Sequence, residues 1–264
     1  MSRSVASAIR AALLTGEARD KVMAARRVAR DWRLGRLAFA FDEAMPERPA
    51  WPAALELLPP RAMPKRGRGG SERSRVALWH SLAHIEFVAI DLALDMAGRF
   101  GGELGGRALV DDFLAVAADE AMHFALIERK LRVLGSHYGA LPAHDGLWQA
   151  AHETRHDAAA RLAIVPMVLE ARGLDVTPAT LERVRGSGDE AGARILQRIL
   201  DDEIRHVGFG AKHFREASRT RDETPRELWQ NLVRTHFRGG LKPPFNDSAR
   251  LAGGLPLDWY AGIA

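Results

Sequence analysis

The 264-residue sequence contains no cysteine. Without thiols the chain forms no disulfide, no thiolate zinc site, no cysteine-ligated iron–sulfur cluster and no cysteine nucleophile. Any metal ion must therefore bind through oxygen or imidazole nitrogen, and 34 acidic residues and 10 histidines supply both. A glycine-rich phosphate loop and a Gly-x-Ser-x-Gly motif are missing as well, which leaves nucleotide hydrolysis and serine hydrolase chemistry without support.

Long apolar runs are also missing from the sequence. No stretch approaches the roughly 18 to 20 apolar residues that span a bilayer, and residues 1–5 lack the features of a secretory signal. Hydrophobic residues make up 47% of the chain and charged residues 27%, which is typical of a folded globular protein. We therefore expect a cytoplasmic protein with no membrane partner, either a monomer or a dimer.

Lysine is scarce among the basic residues, since five of 38 are lysine and 33 are arginine. We expect this excess to reflect genomic base composition and not a nucleic-acid surface. Neither of two basic clusters carries the series of aromatic residues on which bases would stack. The first cluster consists of Arg26, Arg27, Arg30, Arg33 and Arg36, and the second of Arg61, Lys65, Arg66, Arg68, Arg73 and Arg75.

Sustained period-two alternation of apolar residues is absent, so we predict an all-α fold. Helical periodicity is abundant, and four long helices with short connections predict a four-helix bundle. Pro166 is expected to kink the third long helix. The tail 242–264 is expected to be mostly irregular. The predicted helices span about 3–20 and 20–38, then 71–100, 107–135, 145–173 and 187–218 as the long ones, with short helices over 178–185 and 224–239.

The predicted organisation has three parts. Residues 1–70 hold the N-terminal helices and a proline-rich arm, residues 71–240 form the bundle, and residues 241–264 form a C-terminal extension. The arm, residues 42–70, contains six prolines between 46 and 64. It also contains apolar side chains that are costly to leave in water, so we predict that it packs across the bundle. These side chains are Trp51, Leu55, Leu57 and Leu58.

One motif, Asp-Glu-x-x-His, occurs twice, at residues 119–123 and 202–206. Residues three apart on a helix lie on one face, so a glutamate and a histidine at this spacing can bind a single ion. The two pairs are Glu120 with His123 and Glu203 with His206. A single Glu-x-x-His occurs often by chance, and the interpretation depends on what accompanies it.

Two further glutamates accompany the motifs at matching distances. Glu86 precedes Glu120 by 34 residues and Glu170 precedes Glu203 by 33, which indicates a weak internal repeat. Glu86 and Glu170 have apolar neighbours, where an unpaired carboxylate is unfavourable. We therefore predict that these four glutamates and both motif histidines converge on one dinuclear metal site.

The charge of this predicted site indicates the number and type of its ions. Four ionised carboxylates in a core need about four compensating positive charges, which two divalent cations supply. Oxygen-rich ligation with one imidazole for each ion favours iron or manganese over zinc. The sequence predicts two iron ions, with manganese as an alternative.

Other histidine pairs fit a metal site less well. His80 and His84 lie one helical turn apart, but His84 falls on the side of the helix opposite Glu86, so we expect both to be structural or outside the ligand set. His152 and His156 precede Glu170 by 14 to 18 residues, roughly 21 Å or more along a helix. They are expected to lie at the end of the bundle.

A glutamate from each of two helices, with Glu-x-x-His from each of two others, resembles the ferritin-like di-iron carboxylate proteins. Further segments resemble a bacterial family of ferritin-like proteins of unknown function, labelled DUF455. The resemblance covers nearly the whole chain beyond the N-terminal helices. Its segments are Pro-Pro-Arg-Ala-Met-Pro-Lys-Arg at 59–66, His-Ile-Glu-Phe-Val-Ala-Ile-Asp-Leu-Ala-Leu-Asp at 84–95, and Lys-Pro-Pro-Phe-Asn at 242–246 with Ala-Arg at 249–250.

The ferritin-like resemblance implies particular roles for the acidic residues. Glu120 and Glu203 would bridge the two ions, and Glu86 and Glu170 would bind one ion each. Two aspartates, Asp119 and Asp202, would orient the ring nitrogens of the motif histidines. The first motif copy has Met122 where the second has Arg205, which affects only a contact outside the ligands.

These features favour an O2-activating di-iron oxidase or hydroxylase that acts on a small organic substrate. The arm and the C-terminal tail would cover the bundle and obstruct packing into an iron-storage cage. The alternatives are a ferroxidase or iron-handling protein, a hydroxylase that modifies tRNA, and a metal-stabilised helical protein without turnover. The sequence indicates neither the substrate nor any catalytic residue beyond the metal ligands.

Overall fold

The computed structural model describes residues 2–64, 71–104 and 106–263. Lys65, Arg66 and Arg68 of the second basic cluster, and the last residues of the predicted arm, lie outside the described residues. The described chain is helical, and its only β-type pairing consists of two isolated bridges, Ser4 with Ala38 and Leu57 with Ala143. The predicted all-α class is confirmed.

The chain forms two compact units, one of Met1–Gly102 with Gly106–Gln149 and one of Glu103–Gly105 with Ala150–Ala264. The three-part division at residues 70 and 240 stays a prediction. The described helices are α1 (Val5–Leu13), α2 (Ala18–Arg33), α3 (Glu72–Phe100), α4 (Arg107–Val133), α5 (Gly146–Glu153), α6 (Ala158–Ile164), α7 (Ala171–Gly186), α8 (Glu190–Ser218), α9 (Pro225–His236), α10 (Asp247–Ala252) and α11 (Leu257–Tyr260), with a 3₁₀ turn at Pro60–Ala62 and a π-helix at Val165–Glu170.

The first unit is built on the antiparallel hairpin of α3 and α4, against which α1 and α2 pack. Helix α3 begins where predicted, because the Ser71 side chain accepts a hydrogen bond from the Ser74 amide and caps the first turn. From Phe87 to Gly98 every residue of α3 is buried, since other elements cover it on all sides. The predicted helices over 71–100 and 107–135 are confirmed to within two residues.

The described part of the arm, residues 42–64, packs against the first unit as predicted. The Trp51 indole donates a hydrogen bond of 2.8 Å to Asp91 on α3, and Arg99 donates one of 2.9 Å to the Pro46 carbonyl. Leu55 is buried. Leu57 is 38% exposed, so the expectation that it leaves water is wrong for this side chain.

A buried ion pair joins α2 to α3. Lys21 Nζ lies 2.5 Å from Asp91 Oδ1, both side chains are fully buried, and Nζ also donates to the Leu13 carbonyl. Nζ lies 5.3 Å from the centre of the Phe87 ring. Because buried charges are costly when unpaired, this contact fixes the position of α2 on the hairpin.

The second unit corrects the predicted third helix. The chain breaks after α5, and Asp157 then caps α6, which continues through the π-helix and α7 to Gly186. The predicted end at Gly173 and the new start at Pro178 are both wrong. The helix continues through Gly173 because glycine inside a helix costs only about 1 kcal/mol. Packing of the buried face of α7 on α8 offsets this cost.

A distant side chain explains how proline fits inside α7. Proline at 178 removes the backbone donor that would bond the carbonyl of Leu174. That carbonyl instead accepts a hydrogen bond of 3.2 Å from the Asn246 side chain. The partner comes from the C-terminal tail, so local sequence rules could not reveal it.

The tail is more ordered than predicted, because it contains α10 and α11. Arg250 and Asp175 form a buried bidentate pair with distances of 2.8 and 2.7 Å. The Tyr260 hydroxyl donates to Asp247 at 2.7 Å. Helix α9 begins with the predicted Thr-Pro signal but ends at His236, three residues before the predicted end.

Helix α3 is the one described helix with the length and apolar composition to cross a membrane. However, 67% of its most apolar 18-residue stretch is buried inside the protein. This burial is what the core helix of a water-soluble protein shows. The cytoplasmic location stays a prediction.

Candidate metal centre

The hairpin of the first unit places three of the predicted ligands together. Glu86 lies near the middle of α3, and Glu120 and His123 lie three residues apart near the middle of α4. Their side chains are 4%, 1% and 0% exposed. The two long helices run antiparallel, and both Glu86 and Glu120 lie near the middle of their helices.

The distances between these three side chains are short enough for a common ion. His123 Nδ1 lies 3.2 Å from Glu86 Oε2 and 3.3 Å from Glu120 Oε2. One ligand atom from each residue lies within 4.8 Å of the others. Two carboxylate oxygens and one imidazole nitrogen in this space could hold a metal ion.

Burial and mutual charge strongly perturb the three groups. Burial raises the pKa of Glu86 well above its usual range, and the neighbouring Glu120 carboxylate raises it further. Burial alone lowers the pKa of His123, but hydrogen bonds and attraction from Glu120 and Glu86 outweigh it and raise the pKa to about 11. Two carboxylates in a desolvated space therefore both stay ionised only beside a cation, which is either the imidazolium or a metal ion.

The second unit carries the other motif on α8. Glu203 is nearly buried and His206 is fully buried. His206 Nδ1 lies 3.6 Å from Glu203 Oε1, which is longer than a hydrogen bond but leaves both atoms on one side of the helix. The predicted geometry of this pair within its own helix is confirmed.

Glu170 is the last residue of the π-helix and is half-buried. A π-helical turn widens the helix by one residue, and such turns are frequent at functional sites. The sequence analysis expected a proline kink here and did not predict the π-helix. Whether Glu170 meets the other ligands stays a prediction.

The two motif aspartates stand in different surroundings. Asp202 accepts hydrogen bonds from Arg198 at 2.6 Å and from Arg205 at 3.3 Å. Asp119 is half-buried on α4. Their predicted role in orienting the histidine rings stays a prediction.

His80 and His84 hold the loop that follows α4, which confirms their predicted structural role. His80 Nε2 accepts hydrogen bonds from the backbone amides of Gly139 and Leu141 at 2.9 and 3.3 Å. His84 Nε2 donates to a carbonyl at 3.0 Å, so Nδ1 must accept the Tyr138 hydroxyl at 2.9 Å. Burial lowers the pKa of both histidines to about 4, which keeps them neutral acceptors.

Several buried contacts in the first unit were not predicted from the sequence. The rings of Phe87 and Phe124, each next to a candidate ligand in the sequence, lie 5.0 and 5.2 Å from the Tyr138 ring. Burial raises the pKa of Tyr138, so it stays protonated. The composition offered one signal for two of these residues, namely that their residue types are rare. Lys21 is one of five lysines, and Tyr138 is one of two tyrosines.

The fold and the cluster define a class, an all-helical protein with a buried carboxylate and imidazole site that could hold a metal ion. The chain belongs to the DUF455 family, whose description is "Protein of unknown function (DUF455)" and whose pattern matches residues 14–261. This match includes α2, whereas the resemblance seen in the sequence covered only the chain beyond the N-terminal helices.

One relative comes from Haemophilus influenzae (strain ATCC 51907 / DSM 11121 / KW20 / Rd) and is described as an uncharacterized protein. It is 41% identical over 229 residues, which cover 83% of this chain and 79% of the relative. No solved structure matches the chain. The function must therefore be argued from the site.

Proposed function

We propose that this protein is a di-iron carboxylate oxidoreductase, with iron and manganese as an alternative metal pair, that uses O2 to oxidise or hydroxylate a small organic substrate. The buried cluster of Glu86, Glu120 and His123 carries the proposal. Its donor atoms are two carboxylate oxygens and one imidazole nitrogen within 4.8 Å. Burial raises the free energy of these charges unless a cation lies among them.

The proposal extends to six ligands in a ferritin-like bundle made of α3, α4, α8 and the continuous segment from α6 through α7. Glu203 is the first addition, because it is buried on α8 and begins the second Glu-x-x-His motif. His206 and Glu170 are the further additions. The support is the repeat of 34 and 33 residues and the pairing of Glu203 with His206 on α8.

When bound, a pair of iron ions supplies the electrons that reduce O2. Glu86 and Glu120 bind through desolvated oxygens, and His123 binds through a ring nitrogen. Binding requires the imidazole to release the proton that its two carboxylate neighbours stabilise in the metal-free protein. Phe87 and Phe124, which follow Glu86 and His123 in the sequence, are buried with ring centroids 5.4 Å apart.

The test measures metal content and O2 uptake. Protein freed of metal by chelation is loaded with Fe(II) without oxygen, and we expect about two irons for each chain, as the charge of four carboxylates requires. Admission of O2 to the reduced protein should then consume oxygen. Less than one metal ion for each chain, or zinc alone after iron loading, would contradict the proposal.

A pair of variants separates ligand loss from a general charge effect. Glu120→Gln should lower the iron content by at least half, because it removes one buried donor charge. Glu182→Gln, on the exposed face of α7, makes the same chemical change and should leave the iron content unchanged. Equal iron loss in both variants would contradict the assignment of Glu120.

The same preparation distinguishes the alternative functions. A shell of 12 or 24 subunits in size-exclusion chromatography would favour iron storage, as the ferritin-like resemblance allows. Retention of tRNA that clearly exceeds the retention of a DNA duplex at the same salt concentration would favour the tRNA hydroxylase. We expect neither, and a metabolite extract should instead accelerate O2 uptake.

A further inference from the structure

The outer face of α2 carries a row of arginines. At about 100° for each residue, Arg19, Arg26, Arg30 and Arg33 point within about 60° of one another, with Arg27 beside them. All five side chains are exposed, whereas Val28 and Trp32 on the opposite face are buried in the first unit. We call these five residues the arginine face. It is about 21 Å long, because 14 residues separate its ends at about 1.5 Å each.

Positive charge is locally concentrated in the segment that contains this face. Residues 18–36 contain seven basic and two acidic residues, whereas the remaining chain contains 31 basic and 32 acidic residues. Residues 18–36 therefore carry a net charge of +5, and residues 61–75, which contain the second basic cluster, carry +5 as well. A uniform excess of arginine from base composition would not produce such a local concentration.

The arginine face is also little neutralised by neighbouring carboxylates. Among the described residues, Arg30 pairs with Asp31 at 3.3 Å, and the other four arginines of the face have no ion-pair partner. Some exposed arginines elsewhere pair within one helical turn, as Arg132 does with Glu128 at 2.7 Å. Unpaired guanidinium groups are the strongest protein donors to phosphate, because they offer two parallel N–H bonds.

We propose that the arginine face of α2 binds double-stranded DNA by entering the major groove and contacting the phosphates on both sides. The major groove of B-form DNA is roughly 12 Å wide, close to the diameter of an α-helix with its side chains, roughly 10 to 12 Å. The arginines spread over about 120° around the axis from Arg33 to Arg27, so they reach both walls of the groove. The proposal is independent of the metal centre.

The composition of the face disfavours other anionic partners. Exposed aromatic side chains, on which single-stranded bases stack, are absent from α2, since its one aromatic residue, Trp32, is buried. The major groove of double-stranded RNA is too narrow for a helix. A membrane would need a broad exposed apolar face, but on the outer face of α2 only Met23 is a large exposed hydrophobic residue.

The side chains available on the face set the expected specificity. The face carries no asparagine or glutamine, and its arginines are placed to contact phosphates, which carry no sequence information. Binding should therefore depend weakly on sequence and strongly on salt. The dissociation constant should lie on the order of 10 µM near physiological salt, as for other non-specific DNA binding.

The test is fluorescence anisotropy with a labelled duplex of about 24 base pairs, titrated with the full-length protein between about 50 and 200 mM KCl. The triple variant Arg26→Gln/Arg30→Gln/Arg33→Gln should bind at least tenfold more weakly. The slope of log affinity against log salt should fall by roughly 3, since each phosphate contact contributes about 0.9. The exposed position of these side chains lets the variant fold, which circular dichroism checks.

The matched control removes the same charge from paired arginines elsewhere. Arg132→Gln/Arg185→Gln/Arg219→Gln should keep the affinity within about threefold and the salt slope within about 1 of the parent. Equal loss in both triple variants, or no binding at about 100 µM protein in about 50 mM KCl, would overturn the proposal. Tighter binding of an RNA stem-loop than of DNA, or binding only to vesicles of an anionic phospholipid, would overturn it as well.

Discussion

The buried pair of Lys21 and Asp91 permits a quantitative test of how the first unit is held together. Both side chains are fully buried, their charged atoms lie 2.5 Å apart, and the Trp51 indole donates to the second Asp91 oxygen. Asp91→Asn keeps the shape of the side chain and removes its charge, which leaves the Lys21 ammonium without its counter-ion. Breaking one partner of a buried pair costs about 3 to 5 kcal/mol.

The structure places the expected cost at the lower end of that range. Burial already lowers the pKa of Lys21, so the lysine can release its proton and avoid part of the penalty. The Leu13 carbonyl and the Phe87 ring also remain beside Nζ. We expect Asp91→Asn to lower the free energy of unfolding by about 3 kcal/mol, which corresponds to roughly 6 °C in Tm for a chain of this length.

The double variant Lys21→Met/Asp91→Asn gives the decisive comparison in the assay, which is urea denaturation followed by circular dichroism. Removal of both charges should recover more than half of the lost stability, because no unpaired charge remains. Glu182→Gln/Arg185→Met, which removes an exposed pair on α7, should change stability by less than about 0.5 kcal/mol. A loss below about 1 kcal/mol in Asp91→Asn, or additive losses in the double variant, would refute the reasoning.

Three further predictions follow from buried polar contacts. Burial lowers the pKa of His80 from 6.5 to about 4, so its contribution to stability is full above pH 6.5 and is lost as pH falls through about 4; denaturation of His80→Ala should lack this decline. His80→Ala leaves two backbone amides without their acceptor and should cost about 1 to 3 kcal/mol, whereas an unchanged unfolding midpoint in urea would contradict the assigned contacts. Asn246→Ala removes the donor to the Leu174 carbonyl and should cost about 1 kcal/mol by the same measurement, and a wild-type midpoint would show that the contact is dispensable.

Local signals were sufficient to predict the hairpin of the first unit. Ser71 caps α3, glycines follow Phe100, and apolar periodicity persists between these points, so the bounds of α3 follow from neighbouring residues alone. The facing of Glu86 and Glu120 follows from the nearly equal distances of these residues from the connecting turn. Within one hairpin, helix geometry leaves little freedom.

Partners distant in the sequence explain what could not be predicted. Pro178 predicted a helix start, because a proline inside a helix leaves one carbonyl without its backbone donor. The side chain of Asn246 replaces that donor, and the sequence near Pro178 does not reveal it. The burial of Lys21 could not be predicted, because its counter-ion lies 70 residues away. The order of the tail depends on the pair between Arg250 and Asp175, which no periodicity reveals.

The claim at the centre of this account is that the buried carboxylates and imidazole bind metal. Diffraction from iron-loaded crystals at the iron absorption edge tests it most directly. We predict two anomalous peaks, with at least one at coordination distance, roughly 2.0 to 2.4 Å, from the oxygens of Glu86 and Glu120 and a ring nitrogen of His123. A crystal of protein with measured iron content that shows no peak at these side chains, or peaks only elsewhere, would contradict the claim.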